Sequence, residues 1–304
     1  MTDHREVIGI DTGGDRIHIA RVDLGSGRPQ VKALARFEDL PISEHHLLHD
    51  GQWRLAIPDD CALVKRLHIV PYGGISPTDL AAFEMMSSLL DDSDEFLIQT
   101  IDTGRIDRSL GIAIRRTVAA SLLSDALGTP AANTNHIECT VRAAALGNAY
   151  LGFCRRQGTG LVALVDWSGQ VASVCLLYDD RIADLAQVDL RSVGASSERR
   201  IGAAVAQIQT VLNFRTAALA EDGIGVPLSR LVVSGDRCDQ ELRDRLAQSL
   251  DRPVDLPEVS PAYFPDQLDL DRLPLAQYLV ALGAAVSEVT SIDQVKAGPE
   301  ATAT

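Results

Sequence analysis

Val7-Ile8-Gly9-Ile10-Asp11-Thr12-Gly13-Gly14 opens the chain with an apolar, β-branched run that stops at an aspartate and two glycines. The same plan returns at Leu164-Val165-Asp166-Trp167-Ser168-Gly169 and, altered, at Leu231-Val232-Val233-Ser234-Gly235-Asp236. A strand ending in Asp and small residues brings a carboxylate and unshielded backbone N–H groups to one point, which is how proteins grip Mg²⁺ and phosphates. Two such turns far apart in sequence predict two similar half-domains facing a cleft, with the third turn closing it.

Around the first turn, Glu6–Ile10, Ile17–Val22 and Val31–Phe37 read as an antiparallel sheet whose first hairpin carries Asp11. Ala62–Val70 is a further strand. Ser76-Pro77-Thr78-Asp79 then supplies an N-cap serine, a proline at the first helical position and an acidic first turn. That helix runs to about Leu90, with strands at Phe96–Asp102 and Leu110–Arg116 and a helix at Ala119–Leu127. Residues 57–128 thus form a β-α-β-β-α unit inserted after the first strands. Ile137–Tyr150, rich in small apolar residues, reads as a helix leading to Leu161–Val165, Val171–Tyr178 and Ile182–Leu190. These repeat the opening plan about 155 residues on. A long helix at Glu198–Ala220, a strand at Arg230–Val233, a helix at Gln240–Leu250 and a closing helix at Leu275–Val289 complete the reading. The expected units are residues 1–150, residues 151–290 and a disordered tail at 291–304.

Composition narrows the function classes. The 304 residues are 46% apolar and 23% charged, ordinary values for a globular chain with its own core. A formal net charge of −14 disfavours a nucleic-acid partner and unaided adsorption to anionic lipid. The five cysteines have no metal or disulfide spacing, so reduced thiols in a cytosolic protein are expected. Polar Thr2–Glu6 leads straight into the first strand, so no leader is expected. Tyr278–Val286 is about half the length of a membrane span.

The Asp-bearing hairpins, the repeated three-strand plan and the third glycine turn before a C-terminal helix resemble the actin-like ATPase superfamily of actin and the sugar kinases. Within it the chain is similar to the PilM family of type IV pilus assembly, with FtsA and GspL as more distant relatives. Ile8-Gly9-Ile10-Asp11-Thr12-Gly13 sits where that family has its first phosphate loop. Leu63-Val64-Lys65-Arg66-Leu67-His68-Ile69-Val70-Pro71 resembles the strand that opens its inserted subdomain, and Ser76–Asp102 follows the course of that subdomain. Gln277-Tyr278-Leu279-Val280-Ala281-Leu282-Gly283-Ala284-Ala285 resembles its closing helix. The resemblance covers about residues 5–290.

It implies an α/β actin-like fold of two RNase H-like halves around a cleft. Asp11, Gly13, Gly14, Asp166, Ser168, Gly169 and Gly235 would line a nucleotide site, with Asp11 and Asp166 holding Mg²⁺ through water. The resemblance also implies a cytoplasmic chain, brought to the inner face of the membrane by its partner. That partner would be the N-terminal cytoplasmic peptide of a PilN-like membrane protein. The peptide would lie in a groove between the insert and the first sheet, near Lys65, Arg66, His68 and Ile69. Self-association is a further possibility.

Departures from the family pattern point to a spoiled cleft. Gly14, Asp15, Arg16 and His18 stand where small hydroxylic and basic residues are usual. Ser168 puts a side chain where backbone should approach phosphate, and Asp236 replaces a glycine of the third turn. A Glu and a Lys that contact the nucleoside have no counterpart. The expectation is therefore no cofactor, or weak ATP and Mg²⁺ binding, with a functional ATP switch as the alternative. Asp11 and Asp166 have a second reading, as carboxylates that only satisfy turn N–H groups. Lys65, Arg66 and His68 read equally well as a charge row on a sheet surface. Glu138 could line the cleft or complement a helix dipole. His45, His46 and His49 have helical metal-ligand spacing but lie in a polar stretch, where a solvated loop is expected. No catalytic residue is nominated.

Overall fold

The computed structural model describes residues 6–14, 16–25, 28–38, 52–70, 72–89, 95–105, 107–127, 138–154, 160–191, 197–265 and 274–287. Three strands open it: β1 (Glu6–Asp11), β2 (Ile17–Asp23) and β3 (Gln30–Phe37). β1 pairs antiparallel with β2, and β2 with β3. β4 (Gln52–Ile57) then runs parallel to β1 on its other side. The inserted unit follows as β5 (Ala62–His68), α1 (Pro77–Ser87), β6 (Phe96–Arg105), β7 (Arg108–Arg115) and α2 (Arg116–Leu127). β8 (Glu138–Val141) returns parallel to β4 and leads without a break into α3 (Arg142–Phe153).

The second half repeats the first. β9 (Leu161–Trp167), β10 (Val171–Tyr178) and β11 (Arg181–Asp189) are again an antiparallel meander. α4 (Ser197–Glu221) crosses to β12 (Leu228–Ser234), and α5 (Gln240–Leu250) crosses to the short β13 (Val254–Asp255). β12 lies parallel to β9, and β13 to β12. The two five-stranded sheets therefore have the same order, β3-β2-β1-β4-β8 and β11-β10-β9-β12-β13. α6 (Leu279–Val286) closes the described chain.

α3 and α6 fill the space between the sheets, and their small residues are what lets them in. A Cβ on Gly283 would stand 1.7 Å from the Ala145 carbonyl oxygen, and one on Gly9 would stand 2.0 Å from that of Ala281. Helix therefore lies on helix, and helix on strand, at backbone contact. α6 packs on β1 and β2, while α3 packs on β10 and β11. One continuous core runs from Ile10 and Ile57 through α3 and α6 to Leu177 and Val232. A second core lies on the outer face of the second sheet, under α4 and α5.

The inserted sheet has the order β5-β7-β6. On one face Leu67, Ile98 and Ala113 pack under Ala81 and Met85 of α1. Ser76 caps α1 as its sequence requires, accepting the Asp79 N–H at 3.1 Å. On the other face Leu110, Ile112 and Ile114 join the core of the first half.

Three local expectations change. β4 was not anticipated. Glu138–Val141, expected as helix, is the fifth strand of the first sheet, because pairing with β4 takes up its backbone groups. The closing helix begins as a 3-10 turn at Leu275–Tyr278 before α6. His45, His46, His49, Asp15 and the tail at 291–304 lie outside the described residues.

Candidate functional site: the cleft between the two sheets

The three glycine turns meet at the ends of β1, β9 and β12. Asp11 ends β1 and accepts the Gly13 N–H at 3.0 Å, and Asp166 lies one residue before the end of β9. Both carboxylates are almost wholly buried, and between them lies the side chain of Arg142, the first residue of α3. Its Nε donates to Asp11 Oδ1 at 2.9 Å and one terminal nitrogen to Asp11 Oδ2 at 3.2 Å, a forked contact. The same terminal nitrogen donates to Asp166 Oδ1 at 2.7 Å. Burial opposes the guanidinium charge, but the Asp11 and Asp166 carboxylates outweigh it and raise the pKa of Arg142.

The rest of the Asp166 carboxylate is taken by hydroxyls. Ser168 Oγ donates to Oδ1 at 2.8 Å and Ser234 Oγ to Oδ2 at 2.9 Å. A third acid stands behind. Asp59 accepts the Ala143 N–H at 2.9 Å through Oδ1 and the Ser173 hydroxyl through Oδ2, which joins the two halves. Burial pushes its carboxyl up to about 6, against the pull of those two hydrogen bonds and of Arg142.

Backbone closes what the side chains leave. A Cβ on Gly169 would lie 2.8 Å from the Gly13 carbonyl oxygen, and one on Gly14 would lie 2.7 Å from that of Ser168. The first two turns are in contact, and Gly13 gives way to the Arg142 stem, 2.2 Å from where its Cβ would be. Gly235, at a φ of 101°, turns the third loop onto the second. There the Asp236 N–H donates to Ser168 Oγ at 3.3 Å, and the Arg237 N–H donates to the Trp167 carbonyl at 2.9 Å. Trp167 is buried, and its indole N–H donates to the Gly169 carbonyl. Asp236 in turn lies 3.4 Å from the buried His18 imidazole, across the cleft on β2.

All seven residues expected in the cleft therefore come together: Asp11, Gly13, Gly14, Asp166, Ser168, Gly169 and Gly235. Arg142 was missed. Its signal is a single charged residue opening an Ala-rich helix whose face is otherwise apolar. Glu138 lies away from this point, on β8, where its carboxylate receives Arg54 and Gln52. Arg54 also donates to the Ala285 carbonyl at 2.9 Å and so ties down the end of α6.

The four residues expected to hold a partner separate. Lys65 is exposed and donates to the Ser88 hydroxyl at 2.7 Å, and His68 is exposed 4.0 Å from Asp107. Arg66 turns inward toward the second half, onto Asp222 and the Ala218 carbonyl at the end of α4. Ile69 is buried under α1.

Neither a protein-family model nor a curated protein matches this sequence. Solved structures do. The PilM-PilN type IV pilus biogenesis complex superimposes with a TM-score of 0.62 at 14% identity, over 93% of this chain and 98% of the other. A Bacteroides thetaiotaomicron protein described as having an actin-like ATPase fold and unknown function matches with a TM-score of 0.52 at 9% identity. It covers 95% of this chain and 100% of its own. With its twin sheets, its two central helices and its turns meeting in a cleft, this chain has the actin-like fold.

Proposed function

We propose that this chain is an actin-like scaffold of a type IV pilus or related secretion machine, and that its cleft carries no nucleotide. In this reading it works at the inner face of the cytoplasmic membrane by gripping the N-terminal cytoplasmic peptide of a PilN-like membrane protein. The likeness to the PilM-PilN complex supports the setting. Among the described residues no helix is long and apolar enough to cross a membrane, which fits attachment through a partner.

One observation carries the reading of the cleft. The Arg142 guanidinium lies between the carboxylates that would hold Mg²⁺, so a fixed internal cation already supplies the positive charge they require. The residues present do not fit a Mg-nucleotide. The Gly13–Gly14 and Ser168–Gly169 backbones touch where phosphates would have to pass, and the Asp236 carboxylate stands beside them. The insert also ties the halves together away from the cleft. Arg66 and Arg108 meet Asp222 of the second half, and Arg181 donates to Asp102 at 2.6 Å. A scaffold gains from such rigidity; a nucleotide-driven switch would have to break it.

Isothermal titration calorimetry with Mg-ATP tests this directly. No heat of binding is expected up to millimolar nucleotide. Micromolar binding with hydrolysis that depends on Asp11 and Asp166 would establish the ATP switch instead.

A further inference from the structure

Beside the Asp11–Arg142–Asp166 cluster the cleft holds polar atoms that the fold leaves unserved. Thr12 Oγ1, both ring nitrogens of His18 and both carboxylate oxygens of Asp236 are buried, and among the described residues none of them has a hydrogen-bond partner. The His18 side chain is wholly buried and that of Asp236 is 7% exposed. Unpaired buried polar groups are rare in native proteins, so several at one place call for something bound among them.

Local structure brings them together from both halves. His18 lies directly opposite Asp11 across the β1–β2 hairpin, so the two side chains share the cleft face of the first sheet. Thr12 opens the turn between those strands. Asp236 comes from the second half, two residues beyond β12, and its Oδ2 lies 3.4 Å from where a Cβ on Gly14 would be. The Tyr278 ring meets the His18 imidazole edge-on at 5.2 Å and packs it in place.

The donor set selects the occupant. An imidazole nitrogen, two carboxylate oxygens and a hydroxyl all have lone pairs to give, and an anion would be repelled by Asp236. The occupant is therefore a cation. Arg142 is committed to Asp11 and Asp166. A proton on His18 would draw Asp236 into a charge-assisted hydrogen bond of about 2.7–2.9 Å. Instead His18 Nε2 and Asp236 Oδ1 stand 3.4 Å apart without hydrogen-bond geometry. Two atoms each about 2.0–2.1 Å from one tetrahedral ion lie about 3.3–3.4 Å from each other. An imidazole in the set favours zinc over magnesium or calcium, which prefer oxygen alone.

We infer that a zinc ion binds between His18 Nε2 and Asp236 Oδ1, with water completing its shell, and so staples the first half to the second across the cleft. Among the described residues no third His, Cys, Asp or Glu joins them, so micromolar affinity is expected. This position differs from the one between Asp11 and Asp166 that Arg142 fills.

The test is titration of zinc into the full chain, stripped with EDTA and dialysed, by calorimetry, with cobalt(II) absorption to report the coordination. Saturable uptake at one cleft site, a raised urea midpoint and a four-coordinate cobalt spectrum are expected. His18→Gln and Asp236→Asn should each weaken uptake at least tenfold while circular dichroism in EDTA stays native. Asp236→Asn, in a turn at the cleft mouth, decides the matter if His18→Gln does not fold. Because His45, His46 and His49 could take zinc themselves, a chain with all three changed to alanine is titrated too and should keep the cleft site. Millimolar Mg²⁺ should not compete. No zinc uptake, uptake unchanged by both cleft substitutions, or uptake lost with the three-histidine variant would each overturn the site. So would a His18-dependent stability that follows pH in EDTA and ignores zinc, which would assign the pair to a proton. Loss of the zinc site leaves the scaffold reading standing, whereas nucleotide uptake in the Mg-ATP calorimetry overturns that reading alone.

Discussion

The cleft and the outer edge of the insert are opposites in how they treat polar groups. In the cleft, two carboxylates, a guanidinium and two hydroxyls satisfy one another out of reach of water. At β5, backbone hydrogen-bonding groups and large apolar side chains are left to solvent within a few residues of each other. The closure is centred on Asp11, Arg142 and Asp166; beside them Thr12 Oγ1, the His18 imidazole and the Asp236 carboxylate are buried with no hydrogen-bond partner among the described residues. The comparison teaches that one actin-like frame can bury charge against charge between its lobes and leave a strand edge bare on its appended sheet.

The largest expected effect breaks the closed region. Arg142→Ala leaves Asp11 and Asp166 buried beside each other without a counter-charge. Removing one member of a buried ion cluster costs about 3–5 kcal/mol, so urea unfolding should show a loss of that order. The loss should be partly recovered by millimolar Mg²⁺ or Mn²⁺, which can take the vacated position between the carboxylates, whereas the native chain should not respond. Arg142→Lys should fall between the two, since an ammonium keeps the charge but cannot make the forked contact with Asp11. A stable Arg142→Ala chain that ignores divalent cations would mean that the cleft does not depend on its internal cation.

A somewhat smaller effect probes the same region through pH. Asp59 has an ordinary value of 3.8, and burial raises it to about 6 in the folded chain. Because the folded state holds this proton more tightly, ionising Asp59 opposes folding. Stability is lost as pH rises from about 4 through 6, and the loss is complete above that window. The shift corresponds to roughly 3 kcal/mol by linkage. Asp59→Asn keeps the acceptor for the Ala143 N–H and can donate to Ser173, yet it has no charge to ionise. Its stability relative to the native chain should therefore climb by about that amount between pH 4 and pH 7, measured by denaturant midpoints. A difference that stays flat with pH would show that Asp59 is paid no such penalty by its surroundings.

Much of the frame was legible because it is written in short-range patterns. β1, β2, β9 and β10 are β-branched runs broken by Gly and Asp, and α1 announces itself through Ser76 and Pro77. The duplication followed from the repeated Asp turn. β8 was not legible, since Glu138–Val141 runs into α3 with no proline or glycine between them and no side-chain cap at Val141. Only its parallel pairing with β4, more than eighty residues earlier, makes it a strand. The cleft divides the same way. Its glycines and aspartates were identifiable one turn at a time, but nothing near Arg142 in sequence indicates that it reaches Asp11, 131 residues away. Alternation along β5 was legible in principle. The direction of Arg66 was not, because Asp222 and Ala218 become its neighbours only once the halves are assembled.

The smallest effect concerns the open region. Phe83 lies on α1 with its ring exposed to solvent, so Phe83→Ser removes little buried area and should change stability by less than about 0.5 kcal/mol. Tyr72→Ser should behave alike. A core residue gives the contrast: Met85, two residues on and fully buried on the opposite face of α1, should lose about 2–5 kcal/mol on truncation to alanine. The pair of measurements separates what α1 does for the fold from what it offers outside. If Phe83→Ser destabilised the chain by more than about 1.5 kcal/mol in urea melts, the ring would be packed in solution, and the apolar edge would be structural rather than open surface.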